Sequence, residues 1–175
     1  PEVLAVYAKH AETGEVIPQD LVDKITAAST HNQGFATTEY IAASLLDMSW
    51  HTMAPNEAAA VEDAAKFEDE TLAALGKPGE IESRYRSPYY SHIFAGGYSS
   101  GYYAYLWSEI LDADGFTAFR ESGDIFNPEL AGRLKANVYQ AGGSRDADEL
   151  YRAFRGEDPS IEPLLKIRGL DQSGP

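Results

Sequence analysis

The densest run of side chains able to do chemistry lies between Arg84 and Trp107: Arg-Tyr-Arg-Ser-Pro-Tyr-Tyr-Ser-His-Ile-Phe-Ala-Gly-Gly-Tyr-Ser-Ser-Gly-Tyr-Tyr-Ala-Tyr-Leu-Trp. On a helix that advances about 100° per residue, Tyr98, Tyr102 and Tyr105 share one face, because positions i, i+4 and i+7 are neighbours there. Glu109 and Asp112 continue that face, while Tyr103, Leu106, Trp107, Ile110 and Leu111 form a wide apolar stripe suited to a core. A row of phenol hydroxyls open to a cleft can hydrogen-bond a peptide carbonyl, or the oxyanion that develops when that carbonyl is attacked. Gly96 and Gly97 precede the row and Gly101 lies beside it, which leaves room for another backbone to approach. The same tyrosines serve equally well as half-buried packing residues with satisfied hydroxyls.

His92 stands beside this loop, where an imidazole can donate or accept a proton. No two of His10, His31, His51 and His92 have the spacing of the His-Glu-x-x-His zinc motif. The first three read as surface or capping residues. Arg84 and Arg86 flank Tyr85 in a loop otherwise poor in positive charge. A guanidinium pair can hold a peptide's terminal carboxylate bidentately, or pair with the acidic residues around it. No phosphate-binding glycine loop, nucleophile elbow or EF-hand pattern is present.

The elements that must position these groups read as helices with short connections. Glu2 to Ala11 is an amphipathic helix stopped at Gly14, and Pro18 opens a second carrying Leu21, Val22 and Ile25. A long helix runs from about Thr37 to Met53, with Ile41, Leu45 and Met48 in one apolar row and Ala42, Leu46 and Met53 beside it. Asn56 is the expected cap of a helix through Leu75, with Ala58, Val61, Ala65, Leu72 and Leu75 inward and Glu62, Asp63, Glu68, Asp69 and Glu70 toward water. Residues 77–91 read as an ordered loop, and the tyrosine segment runs into a helix through about Phe119. Asn127-Pro128 starts another helix with Leu130, Leu134 and Val138 inward, and Asp146 with Glu149 forms a capping-box pattern for a short helix ending at Gly156. A last turn or two spans about 160–167. No convincing strand alternation or internal repeat appears, so the expected fold is all-α, a single helical domain over residues 1–175.

Composition narrows the partners. A net charge of −14, from 28 acidic and 14 basic residues, argues against DNA or RNA, whose binders need Lys and Arg to displace counterions, and against an anionic membrane surface. No apolar run approaches the roughly 18 residues of a membrane span. The sequence has no Cys, which removes disulfides and thiolate sites and fits the cytoplasm without excluding a periplasm. The chain opens on Pro1 rather than Met, and a piece of a longer protein is expected.

Two blocks, His92-Ile93-Phe94-Ala95-Gly96-Gly97-Tyr98 and Gly101-Tyr102-Tyr103-Ala104-Tyr105-Leu106-Trp107, resemble the thimet oligopeptidase family of zinc metallopeptidases. The likeness extends to Leu45-Leu46-Asp47-Met48-Ser49-Trp50-His51 upstream and to Leu150-Tyr151-Arg152-Ala153-Phe154-Arg155-Gly156 and Pro163-Leu164-Leu165 downstream. Arg84-Tyr85-Arg86-Ser87 before Tyr89-Tyr90 leans toward the peptidyl-dipeptidase branch, with oligopeptidase A as the near relative. The resemblance implies the C-terminal part of a mostly helical catalytic domain acting on oligopeptides. It implies that the zinc ligands lie upstream of Pro1, so that this chain holds no metal and is inactive alone. It assigns oxyanion stabilisation to Tyr98, with His92 and Tyr105 hydrogen-bonding substrate, Tyr102 lining the same cleft, and Gly96 and Gly97 in a loop that flexes to admit peptides. Arg84 or Arg86 is the expected grip on a free carboxylate. A non-catalytic peptide-binding module, or a scaffold whose tyrosines only pack, is the competing reading.

Overall fold

Helix periodicity and a handful of caps produce ten α-helices in the computed structural model, which describes residues 2–171. They are α1 (Glu2–Tyr7), α2 (Gln19–Ser29), α3 (Gln33–Thr52), α4 (Pro55–Ala59), α5 (Ala64–Ala74), α6 (Ser91–Phe94), α7 (Ala104–Glu121), α8 (Pro128–Leu134), α9 (Ala147–Arg155) and α10 (Glu162–Ile167). A 3-10 turn spans Ser87–Tyr89, and the end of α8 widens into a π turn at Lys135–Tyr139. The described residues hold no strand beyond an isolated antiparallel bridge between Lys9 and Val16. The fold is all-α.

The centre of packing is α3. Ala42, Ala43 and Leu46 are buried against Leu72 of α5, Tyr90 and Ile93 around the 3-10 turn and α6, and Tyr102 just ahead of α7. Small residues at 42 and 43 let these aromatic rings close on the helix. Tyr40, Trp50, Phe67 and Tyr85 pack around this cluster. Of the two apolar rows read on α3, the one through Ala42 and Leu46 faces the core, while Ile41 and Leu45 remain more than a third exposed. At the other end, α7 buries Ala113, Asp114, Gly115, Ala118 and Phe119. Gly115 fits closely there, since a Cβ would stand 3.2 Å from the Phe154 ring of α9 and the ring would have to give by a few tenths of an ångström.

Several elements differ from the sequence reading for identifiable reasons. α1 stops at Tyr7 because the chain turns back: His10 Nδ1 accepts hydrogen bonds from the N–H groups of Glu12 and Thr13, and Lys9 bridges to Val16. Pro18 caps α2 from outside rather than opening it. The helix expected from Asn56 to Leu75 is two helices. Asp63 accepts from the N–H groups of Ala65 and Lys66 at 2.9 and 3.1 Å and so starts α5 anew; capping competes with continuation. Glu68, assigned to water, is fully buried, whereas Leu75 is half exposed. Val138 leaves the inward face because the π turn shifts the angular phase of every residue after Leu134. Asp146 caps α9 by position, without the side-chain hydrogen bond of a capping box. Gly156 closes α9 at φ 95°, as a left-handed glycine cap should.

Candidate active-site wall

The tyrosines that read as one helical row are not on one helix. Ser100 sits at φ 56° in the left-handed region, Gly101 N–H donates to the Tyr98 carbonyl at 2.8 Å, and α7 begins only at Ala104. Tyr98 therefore belongs to a folded-back loop, Tyr102 to the turn that ends it, and Tyr105 to the first turn of α7. The loop nevertheless delivers Tyr98 to Tyr105: their rings stack with centroids 5.1 Å apart. Both are about 40% exposed, and the Tyr98 hydroxyl, acting as hydrogen-bond partner, raises the Tyr105 phenol above its ordinary value. These two hydroxyls form an open polar edge.

Tyr102 goes the other way. It is 3% exposed, its ring meets those of Tyr40, Tyr85, Tyr90 and Tyr105, and burial pushes its phenol up to about 12. Tyr102 does not line an open cleft; it is the floor on which the open pair rests. The stripe assigned to the core is likewise reversed in part, since Tyr103 and Trp107 are half exposed. The backbone turn ahead of α7 rotates the start of that helix, so its first apolar side chains face outward.

His92 is central to the assembly. Its ring lies 6.0 Å from Tyr98, 6.5 Å from Tyr105 and 5.6 Å from Tyr102, and its Nδ1 is buried without a hydrogen-bond partner. A buried, unpaired imidazole nitrogen costs free energy and requires a reason. Gly96 is sterically obligatory beside it: a Cβ there would stand 2.9 Å from the His92 carbonyl oxygen. Gly97 meets nothing within 4 Å and leaves the loop surface bare.

Two carboxylates that the sequence did not reveal as anchors hold this assembly from beneath. Asp47 of α3 has a fully buried side chain. Its two oxygens accept from the backbone N–H groups of Ser100 and Tyr102, each at 2.9 Å, and His51 Nδ1 lies 2.8 Å away. Glu68 of α5 accepts from Ser87 N–H at 2.7 Å and Ser87 Oγ at 3.0 Å. Its other oxygen sits 2.7 Å from Arg86 Nε as a charge pair rather than an aligned hydrogen bond. Trp50 Nε1 donates to the same Ser87 hydroxyl. The available signal was position: Asp47 falls four residues after the buried Ala43, and Glu68 falls four before Leu72.

The two arginines separate. Arg86 is committed to Glu68 and, at 3.2 Å, to Asp69. Arg84 is exposed and makes no hydrogen bond or ion pair with any described residue. Among the described residues no three His, Asp or Glu side chains gather as a metal site. The histidines are dispersed: His10 caps a turn, His51 pairs with Asp47, and His31 lies exposed between α2 and α3. These residues do not fit a zinc ion by themselves.

Residues 1–170 match Peptidase family M3, and the chain belongs to that family. Dipeptidyl carboxypeptidase of Salmonella typhimurium is 43% identical over 174 residues, covering 98% of this chain and 25% of that protein. Its Escherichia coli counterpart is 42% identical with the same coverage. Oligopeptidase A of Escherichia coli is 36% identical over 172 residues, covering 97% of this chain and 25% of the relative. The chain thus spans about a quarter of the length of the curated relatives it matches. No helix among the described residues is long and apolar enough to cross a membrane.

Proposed function

We propose that this chain is the substrate-facing wall of a zinc peptidase that hydrolyses oligopeptides and releases C-terminal dipeptides. The observation that carries the reading is the open Tyr98–Tyr105 pair set beside the His92 ring. In the family, zinc supplies Lewis-acid polarisation of the scissile carbonyl when bound. Because the histidines of this chain do not assemble a site, the ligands are assigned to polypeptide beyond it.

The chain's own residues bind and orient. The Tyr98 phenol donates to the carbonyl oxygen of the scissile peptide as negative charge builds on it, a bond that is stronger in the transition state than in the ground state. Tyr105, tied to Tyr98, fixes the direction of that donor and offers a second hydroxyl to the substrate backbone. His92 offers substrate its other ring nitrogen, Nε2, since Nδ1 is sealed beneath the pair. Tyr102 and Tyr90 keep water from beneath the pair. Arg84, which makes no hydrogen bond or ion pair with any described residue, reaches the substrate's terminal carboxylate. The greater identity to the dipeptidyl carboxypeptidases than to oligopeptidase A supports the dipeptide-releasing activity.

Tyr98→Phe in the active peptidase tests the assignment. Removal of one oxyanion donor is expected to lower kcat by roughly 10²- to 10³-fold, with little change in KM or in the unfolding midpoint. A variant that keeps wild-type kcat overturns the role. The 175-residue chain alone is expected neither to retain stoichiometric zinc, by elemental analysis, nor to cleave peptides; chelator-sensitive hydrolysis by it would refute the placement of the ligands.

A further inference from the structure

The Asp47 carboxylate does more than satisfy itself. Its two donors from the tyrosine loop, Ser100 N–H and Tyr102 N–H, both lie between Tyr98 and Tyr105 in the chain. Neither amide belongs to a helix, and Ser100 holds a left-handed conformation that non-glycine residues adopt at a cost. A fully buried anion carries a large desolvation penalty, which short hydrogen bonds to its charged form must offset. Here those bonds are spent on the segment that sets the separation of the two open phenols. Other ties supplement them: Tyr40 Oη donates to the Tyr102 carbonyl at 2.5 Å, and Ser99 Oγ to the Ile93 carbonyl. Among the described residues only Asp47 bonds both Ser100 and Tyr102, the two ends of the left-handed turn.

We infer that Asp47 is a positioning residue for peptide hydrolysis, fixing the turn at Ser100–Tyr102 so that the Tyr98 hydroxyl stacks beside Tyr105 in its working place. The inference rests on the peptidase reading for its kinetic consequence, and on geometry alone for the restraint itself. Asp47 touches no substrate; it acts through the loop. Asn at this position preserves size and one acceptor, but its amide nitrogen cannot accept, so one of the two backbone N–H groups loses its partner. A misplacement of about 1 Å at a reacting group can cost roughly 10²-fold in rate.

The test compares Asp47→Asn with Glu68→Gln in the active peptidase, by amide hydrogen exchange and steady-state kinetics. Asp47→Asn is expected to speed exchange at residues 98–103 by about tenfold or more and to lower kcat roughly 10²-fold, while KM moves far less. Glu68→Gln is expected to loosen residues 85–90 and spare the tyrosine loop. Unchanged loop exchange in Asp47→Asn overturns the restraint. Loosening of both segments alike, with kcat per folded molecule unchanged, reduces Asp47 to a stability residue and also overturns the proposal. Should Asp47→Asn fail to fold, the wild type decides: Ser100 and Tyr102 amides exchanging as fast as unprotected backbone would sink the idea. If the full-length wild type cleaves no peptide, the peptidase reading fails, and the exchange arm still judges the restraint separately.

Discussion

Tyr98 and Tyr151 are the same side chain put to opposite uses in two regions that each contain a buried carboxylate. In the α7–α9 junction, Tyr151 is 8% exposed and its hydroxyl donates to Asp114 at 2.5 Å. Arg155, itself only 8% exposed, faces the same carboxylate at 3.3 Å and reaches Glu121 and Glu157. Side-chain donors saturate the anion there, and the result is two helices locked together. In the loop region, Asp47 takes two backbone N–H groups beside His51, and Glu68 takes the Ser87 N–H and hydroxyl beside Arg86, so the carboxylates shape a chain path while the Tyr98 and Tyr105 side chains above stay open. A scaffold consumes its hydrogen-bonding capacity internally. The proposed site holds some back.

That contrast can be broken by experiment. The largest expected stability change is from Arg86→Ala. It strands a fully buried Glu68 with only its Ser87 bonds, and a loss of about 2–3 kcal/mol follows, read as a lower denaturant midpoint. No loss would mean that Glu68 is already satisfied by Ser87. Tyr151→Phe comes next, at about 1.5 kcal/mol for a hydrogen bond to a charged partner, with kcat per folded molecule unchanged. An equal stability cost for Tyr98→Phe would erase the distinction between the regions.

Alkaline pH offers a subtler comparison. Burial holds Tyr102 at about 12 against an ordinary 10, and pushes Tyr90 well above its usual range too. Below pH 10 the phenol is protonated in both folded and unfolded chains and its contribution is complete. Above that the unfolded chain ionises first, so stability declines as pH rises toward 12. Denaturant midpoints measured across this window should fall, and less steeply in Tyr102→Phe. The smallest expected effect is from Arg84→Ala, a rise of a few-fold in KM confined to peptides with a free C-terminal carboxylate, about 1 kcal/mol of binding. Equal losses on amidated peptides would remove Arg84 from carboxylate recognition.

Much of the helix plan was legible because local signals are strong where caps and periodicity agree: Asn127 accepts from Glu129 and Leu130 N–H as its type implies, and Gly156 closes α9. The grouping of Tyr98, Tyr105 and His92 was legible as well, though for the wrong reason, since a left-handed Ser100 rather than helical spacing joins them. What stayed hidden was burial decided by distant partners. Nothing local marks Glu68 as an inward charge, because its partners Ser87 and Arg86 lie 19 and 18 residues on. Tyr102 sank and Tyr98 rose for the same cause: the turn between them, whose geometry is held by α3, more than 50 residues earlier.

The two indoles of the chain give these regions separate optical signatures. Trp50 donates to Ser87 at 2.9 Å and packs 4.2 Å from the Phe67 ring, whereas Trp107 is half exposed one turn beyond Tyr103. Fluorescence from the first should be blue-shifted and should move only when the Glu68 anchor releases. Emission from the second should be red-shifted, quenchable by small solutes, and blue-shifted once another surface covers the start of α7. A Phe replacement at either indole would therefore leave a single-channel reporter, one for the integrity of the wall and the other for what comes to rest upon it.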